Sequence, residues 1–211
     1  MILFLDIVSP LPEFSLIEDN KIIYTKKIIT NDLDRMSDCI IPVYVDLEKK
    51  FLVNRKLQCL ITNTGPGSYT ALRVGIAFLS GLSIAQKIDL IGVSCLDLYL
   101  YAVNQDQLHS SALYVGSSNN QNFIYLYCKK KGFIVHKVEK KKNINGMENL
   151  SLTQMITNIN PKLIDNNFLK NIKNTKIYFN ELVKLNLINI MSLPRKAIIE
   201  PIYVSNNAIL N

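Results

Sequence analysis

The sequence is poor in the side chains that carry metal and nucleophilic chemistry. Only two of 211 residues are histidine, His109 and His136, and they stand far apart. The four cysteines, Cys39, Cys59, Cys95 and Cys128, form no C-x-x-C pair. A zinc site needs three or four ligands brought together, and a metallopeptidase helix needs a histidine pair, so neither chemistry has support. The thiols read as free groups in a reducing compartment rather than a disulfide framework. Long hydrophobic runs are missing too. The stretch from Val74 to Ala85 is interrupted by Gly75, Ser80, Gly81 and Ser83, and falls short of the roughly 20 apolar residues of a membrane span. No basic segment precedes the apolar start Ile2-Leu3-Phe4-Leu5 and no small-residue cleavage site follows it, so it does not read as a secretory signal. The expectation is a cytoplasmic protein without membrane attachment.

What is present is apolar and, in part, basic. With 48% hydrophobic residues the chain can bury a substantial core. The formal charge is +7, but residues 1–101 carry 10 basic and 11 acidic side chains, and residues 102–211 carry 14 and 6. The excess therefore lies in the second half, where Lys129-Lys130-Lys131 and Lys140-Lys141-Lys142 can attract RNA phosphates. The same lysines stand beside Gly132, Asn143, Asn145 and Gly146, as solvated turns do, and no aromatic residues interleave with them as a stacking platform requires.

Along the chain, residues 2–8, 13–18 and 21–29 read as strands of an antiparallel meander, with Glu18-Asp19-Asn20 as a turn. Asn31 or Asp32 can cap a helix whose apolar positions Leu33, Met36, Ile40, Val43 and Leu47 recur every three or four residues, with Pro42 inside it. A strand over 57–62, a glycine turn, a helix to about Gln86, a strand over 90–93 and a helix over 94–103 complete one lobe. The second half repeats the start of this order, with strands expected over 111–116, 123–127 and 133–138. A helix is then expected over 152–158, followed by strands over 162–164 and 176–179. The fold class is α/β with mixed sheets, divided into lobes at 1–101 and 102–211.

The segment Thr64-Gly65-Pro66-Gly67-Ser68-Tyr69-Thr70-Ala71-Leu72-Arg73-Val74-Gly75-Ile76 places a tight glycine turn between strand and helix. Such a turn leaves N–H groups at a positive helix end, where an anion can sit. The residues alone favour a tight connection capped by Ser68 or Thr70, because the turn lacks the lysine that makes a P-loop. The helix that follows is apolar or small over nearly its whole circumference, from Ala71 to Ala85, so it reads as packed on two sides, with Ala77, Gly81 and Ala85 at four-residue spacing permitting close helix approach. Complete burial within this chain is the other reading.

This segment resembles the TsaB (YeaZ) family, whose hallmark is Gly-Pro-Gly-Ser-[Phe/Tyr]-Thr-[Gly/Ala]-Leu-Arg-[Ile/Val]-Gly. The resemblance extends to Gly81-Leu82-Ser83-Ile84-Ala85, Ile91-Gly92-Val93-Ser94-Cys95-Leu96, Leu5-Asp6-Ile7-Val8-Ser9, Ile40-Ile41-Pro42 and Glu200-Pro201-Ile202-Tyr203-Val204. It is close over residues 1–101 and weak over 102–198. It implies an actin-like ATPase and sugar-kinase architecture of two ribonuclease-H-like lobes, the second reduced. It also implies a non-catalytic scaffold that binds TsaD, the subunit that modifies the adenosine next to the anticodon, and that admits the ATPase TsaE. tRNA is then met indirectly through the complex, and the isolated chain can form a homodimer.

No catalytic residue, metal site or cofactor is expected. The partner interface is expected at Met36, Ile40, Val43, Arg73, Ala77, Ser80 and Gly81. A vestigial nucleotide or anion site is expected at Asp6, Ser9, Gly65, Gly67 and Ser68. Asp6 stands where active relatives of this architecture place a metal-orienting acid, yet no glycine follows it closely and Leu60-Ile61-Thr62-Asn63 supplies no second acid. Family polar positions are replaced at Met36, Ser118, Asn120 and Ser205. A different class, a weak nucleotide hydrolase using Asp6 or a peptidase-like enzyme, is the alternative.

Overall fold

The computed structural model describes residues 1–31, 33–106, 110–116, 122–128, 132–138, 154–158 and 173–203. The first sheet has the order β3-β2-β1-β4-β5, built from β1 (Ile2–Asp6), β2 (Glu13–Glu18), β3 (Lys21–Lys27), β4 (Cys59–Asn63) and β5 (Asp89–Val93). β1 to β3 form the expected antiparallel meander, and β1, β4 and β5 run parallel. The β2–β3 turn places Asp19 and Asn20 at φ of 50 and 58, the left-handed pair that matches strand twist and that Asp and Asn tolerate best after glycine.

β1 lies at the centre of this sheet, and Leu3, Phe4 and Leu5 are all buried because both of its faces are covered. Phe14 meets Tyr44 of α1 (Met36–Phe51) and Phe78 of α2 (Tyr69–Gln86) on one face. The next residue, Ser15, points to the other face and takes a hydrogen bond from Asn180 of α4 (Phe179–Leu185). α3 (Cys95–Asp106) packs on α4, and α5 (Leu187–Met191) packs on β5. Each fully buried Leu or Phe of this core contributes about 1.5–3 kcal/mol.

The second sheet has the order β8-β7-β6-β9-β10, from β6 (Ser110–Gly116), β7 (Asn122–Cys128), β8 (Gly132–Val138), β9 (Gln154–Thr157) and β10 (Lys173–Lys176). Its strand directions repeat those of the first: two antiparallel neighbours, then two parallel ones. The repeat reaches the residues. Leu5 pairs with Thr62 of Ile61-Thr62-Asn63, and Tyr114 pairs with Thr157 of Ile156-Thr157-Asn158.

Several expectations change. The helix expected over 152–158 is strand β9, whose four residues include the branched Ile156 and Thr157. The strand expected over 176–179 ends at Lys176, and Phe179 opens a helix. α1 starts at Met36 rather than beside Asn31. Ahead of it Asp34 Oδ2 instead accepts from the Thr30 and Asn31 N–H groups, and Asn31 Oδ1 accepts from the Leu33 and Asp34 N–H groups. The boundary at 101/102 falls inside α3, and residues 179–191, assigned by chain order to the second lobe, pack against the first sheet. Asp32, the strand expected over 162–164, both lysine triplets and Ser118, Asn120 and Ser205 lie outside the described residues.

Candidate functional site

Asp6 ends β1 and is buried. Its Oδ1 accepts three hydrogen bonds: from the Val8 N–H at 3.0 Å, the Ser9 N–H at 3.0 Å and Asn63 Nδ2 at 2.7 Å. Asn63 Oδ1 in turn accepts the Ile7 N–H at 2.9 Å. The N–H groups of the loop after β1, which would face a phosphate, are thus spent on the protein's own carboxylate, and the residue in the place of a second acid is an amide that binds the first. Ser9 Oγ receives Asn158 Nδ2 at 3.4 Å, so the end of β9 in the second sheet meets this loop.

An acid does stand beside Asp6, but on the neighbouring strand. Glu13 lies opposite Asp6 in the β1–β2 register and accepts Asn180 Nδ2 at 3.0 Å. Its carboxyl is pushed up to about 7, first by burial and then by the Asp6 charge, with Lys27 opposing. No group of three or more His, Cys, Asp or Glu side chains suited to a metal occurs among the described residues.

The glycine turn is filled by the chain itself. Gly65 has φ of 107, and a Cβ there would lie 2.9 Å from the Ile202 carbonyl oxygen and 3.2 Å from Leu72 Cδ1. A Cβ on Gly67 would meet Val8 Cγ2 at 3.1 Å. The Thr64 N–H donates to Val93 O, the Cys95 N–H to Gly65 O, and the Ile202 N–H to Thr64 O. Ser68 is the N-cap of α2, as one expectation had it, but its hydroxyl makes no cap bond. Of the expected anion-site residues, Asp6 and Ser9 are joined by a hydrogen bond and Gly67 abuts Val8 between them. Gly65 instead receives the tail.

Two cavities, of about 380 and 290 Å³, lie at the other end of the sheet. Residues such as Arg55, Lys56 and Leu57 line the first, Lys87, Arg195 and Lys196 the second, and Ile88 both. They flank the starts of β4 and β5, whereas open α/β sheets place their chemistry at the strands' carboxyl ends. No helix among the described residues is long and apolar enough to cross a membrane.

The outer surface of α1 and α2 divides the expected interface. Arg73, Ala77 and Gly81 are exposed, and a Cβ on Gly81 would find nothing within 4 Å. Val43 is half-buried, and Ser80 turns inward, its hydroxyl buried without a hydrogen-bond partner. Met36 and Ile40 belong to this chain's own core, Ile40 being 2% exposed. This corrects their placement: the apolar stripe of a surface helix faces its own sheet, and the outward position is Ile41, 56% exposed beside the exposed Ser37 and Pro42.

Residues 40–188 match the family model described as TsaD: tRNA N6-adenosine threonylcarbamoyltransferase. The chain belongs to the TsaD family. The match begins within α1 and runs through α5's first residues, so it includes the stretch after 101 where the sequence resemblance is weak. Two solved structures are similar over nearly full length. YeaZ from Pseudomonas aeruginosa gives a TM-score of 0.63 at 12% identity, covering 96% of this chain and 99% of that one. The second, described as an uncharacterized protein with similarity to peptidase YEAZ from Pseudomonas aeruginosa, gives 0.63 at 12%, covering 97% and 99%. These likenesses concern the fold, which is the expected actin-like architecture. No match is found among curated protein sequences.

In this TsaD-family chain, sequence reading missed Glu13, Asn158, Asn180 and the contact of Tyr203 with Tyr69. The repeated Ile-Thr-Asn at 61–63 and 156–158 was the available signal for Asn158. Asn180 and Tyr203 join the site through tertiary contacts that no local pattern announces.

Proposed function

We propose that this protein is a non-catalytic, TsaB-like scaffold of tRNA threonylcarbamoylation that binds the TsaD subunit through the outward side of α2 and α1. TsaE joins the complex in this reading, and tRNA is met indirectly through TsaD. The observation that carries it is the exposed row Tyr69, Arg73, Ala77, Gly81 and Ala85 on a helix whose other sides are already packed. Small residues at four-residue spacing admit a second helix closely, as in helix bundles. The use of Asp6 to hold its own loop supports a chain without phosphate chemistry of its own.

The experiment is binding of the full chain to TsaD from the same organism by size exclusion at micromolar concentration, with Gly81→Arg as the test variant. Position 81 opens to solvent, so the longer side chain meets nothing in its own fold, and the variant is expected to melt like the parent while losing the complex. A folded Gly81→Arg protein that binds normally refutes this placement. Threonylcarbamoyl-adenosine formed equally well in a reconstitution lacking this chain refutes the role.

A further inference from the structure

The N-terminal end of the same α2 row carries a stack of three groups drawn from two distant segments. The rings of Tyr69 and Tyr203 lie 5.0 Å apart between centroids, and the Arg73 guanidinium carbon is 4.8 Å from the Tyr69 centroid. All three are at the surface: Tyr69 is 53% and Tyr203 48% exposed, and Arg73 is exposed. The tail is fixed just before Tyr203, where the Ile202 N–H donates to Thr64 O at 2.8 Å and the Ile202 carbonyl occupies the space a side chain at Gly65 would need. The glycine turn is therefore shaped to receive the tail, and the tail brings Tyr203 to Tyr69.

Among the described residues no hydrogen bond or ion pair engages the Arg73 guanidinium, and the first turn of α2 has no acid. A guanidinium held over a ring is partly stripped of water on that side, while the other N–H groups of its fork can still donate to an oxyanion. We propose that the Tyr69, Arg73 and Tyr203 stack anchors the partner-binding surface, and that the partner helix lying along Ala77 and Gly81 sets a carboxylate side chain into the Arg73 fork. This rests on the scaffold reading above and adds the chemistry the partner must supply. Tyr and Arg are the residues that dominate interface energies, and the stack continues the helix row without a break. A phosphate would fit the same fork. The groups that follow along the row, Ala77, Gly81 and Ala85, suit a helix, whereas a phosphodiester chain asks for cations in series.

The test measures affinity for the transferase partner by calorimetry with full-length Arg73→Glu, Arg73→Gln, Tyr203→Ala and Gly81→Arg, alongside tRNA affinity and self-association of each variant alone. Arg73→Glu and Tyr203→Ala are expected to weaken the partner complex about tenfold or more, with Arg73→Glu melting like the parent. The parent complex weakens as salt rises, and Arg73→Gln flattens that dependence. If Arg73→Glu and Tyr203→Ala bind normally while Gly81→Arg does not, the stack is no anchor and the scaffold reading stands. If all variants bind normally, the stack is no anchor and the placement of the interface along this row of α2 falls with it. Loss confined to tRNA affinity, or to self-association, overturns the proposal by assigning the fork to a phosphate or to a second copy of this chain.

Discussion

A carboxylate at the end of the first strand of an α/β lobe invites a catalytic reading, but its hydrogen bonds decide what it does. Three donors on one oxygen of Asp6, all from the chain itself, make it an internal cap for residues 7–9, with Asn63 closing the circuit. The neighbouring Glu13 holds a proton more tightly than an ordinary carboxyl. Because the folded state raises this carboxyl from an ordinary 4.5 to about 7, the folded protein binds the proton more tightly than the unfolded chain. Stability therefore falls as pH rises through the window from about 4.5 to 7. Glu13→Gln keeps an oxygen for Asn180 and removes the charge. Allowing for the partial exposure of Glu13, the gain above pH 7 is about 1 kcal/mol, or roughly 2–4 °C in melting temperature for a chain of this size. Melts at pH 5 and pH 8 check it: the variant should exceed the parent at pH 8 and match it at pH 5, and equal melts at both values would show that Glu13 is not destabilised by its surroundings.

At the scale of the element, α2 carries two glycines with opposite duties. A Cβ on Gly75 would press into Ile7 Cγ2, a branched methyl buried under the helix just after β1, so Gly75→Ala forces the helix away from Ile7 and should cost about 1–3 kcal/mol. Gly81 faces open space, and alanine there gains helix propensity of roughly 0.8–1 kcal/mol. Thermal melts should thus move down for Gly75→Ala and up by a few degrees for Gly81→Ala; a fall for both would place Gly81 inside a contact that the isolated chain does not show. The same helix marks what sequence can reveal. Strong local signals, the Asp19-Asn20 turn, the glycine turn and the apolar positions of α1 and α2, located nearly every element before residue 104. Which side of α1 faces outward was not legible, because Met36 and Ile40 on the inner stripe and Ile41 on the outer seam are alike in chemistry. The segment 152–158 reads as a helix, and only pairing with β6 and β10 makes Gln154–Thr157 a strand.

Among the described residues one strand order is used twice, with residues 195–203 returned to the first copy. Asn63 ends β4 and Asn158 directly follows β9, the equivalent strand of the second sheet, and both meet the end of β1 and its loop, one through Asp6 and the other through Ser9. The tail closes the first lobe from the other side. The Lys196 N–H donates to Leu90 O, Arg195 pairs with Asp89 at 2.6 Å, and Ile199 is buried over Gly92, where an added Cβ would stand 2.8 Å from Ile199 Cγ2 and 2.7 Å from Thr64 Cγ2. The exposed ion pair contributes little, on the order of 0–1 kcal/mol, so the buried isoleucine is the main fastening of residues 195–203. Ile199→Ala removes that side chain and leaves a cavity over Gly92, at a cost of about 2–5 kcal/mol, lowering the melting temperature by roughly 5–15 °C. Hydrogen exchange should speed up at the amides of Lys196 and Ile202, and at Thr64 and Cys95 beneath them, ahead of those in β1. A shift below about 1 °C, far less than a buried isoleucine should give, with unchanged exchange at Thr64, would mean that the tail rests on the lobe without holding it, and that the glycine turn keeps its shape unaided.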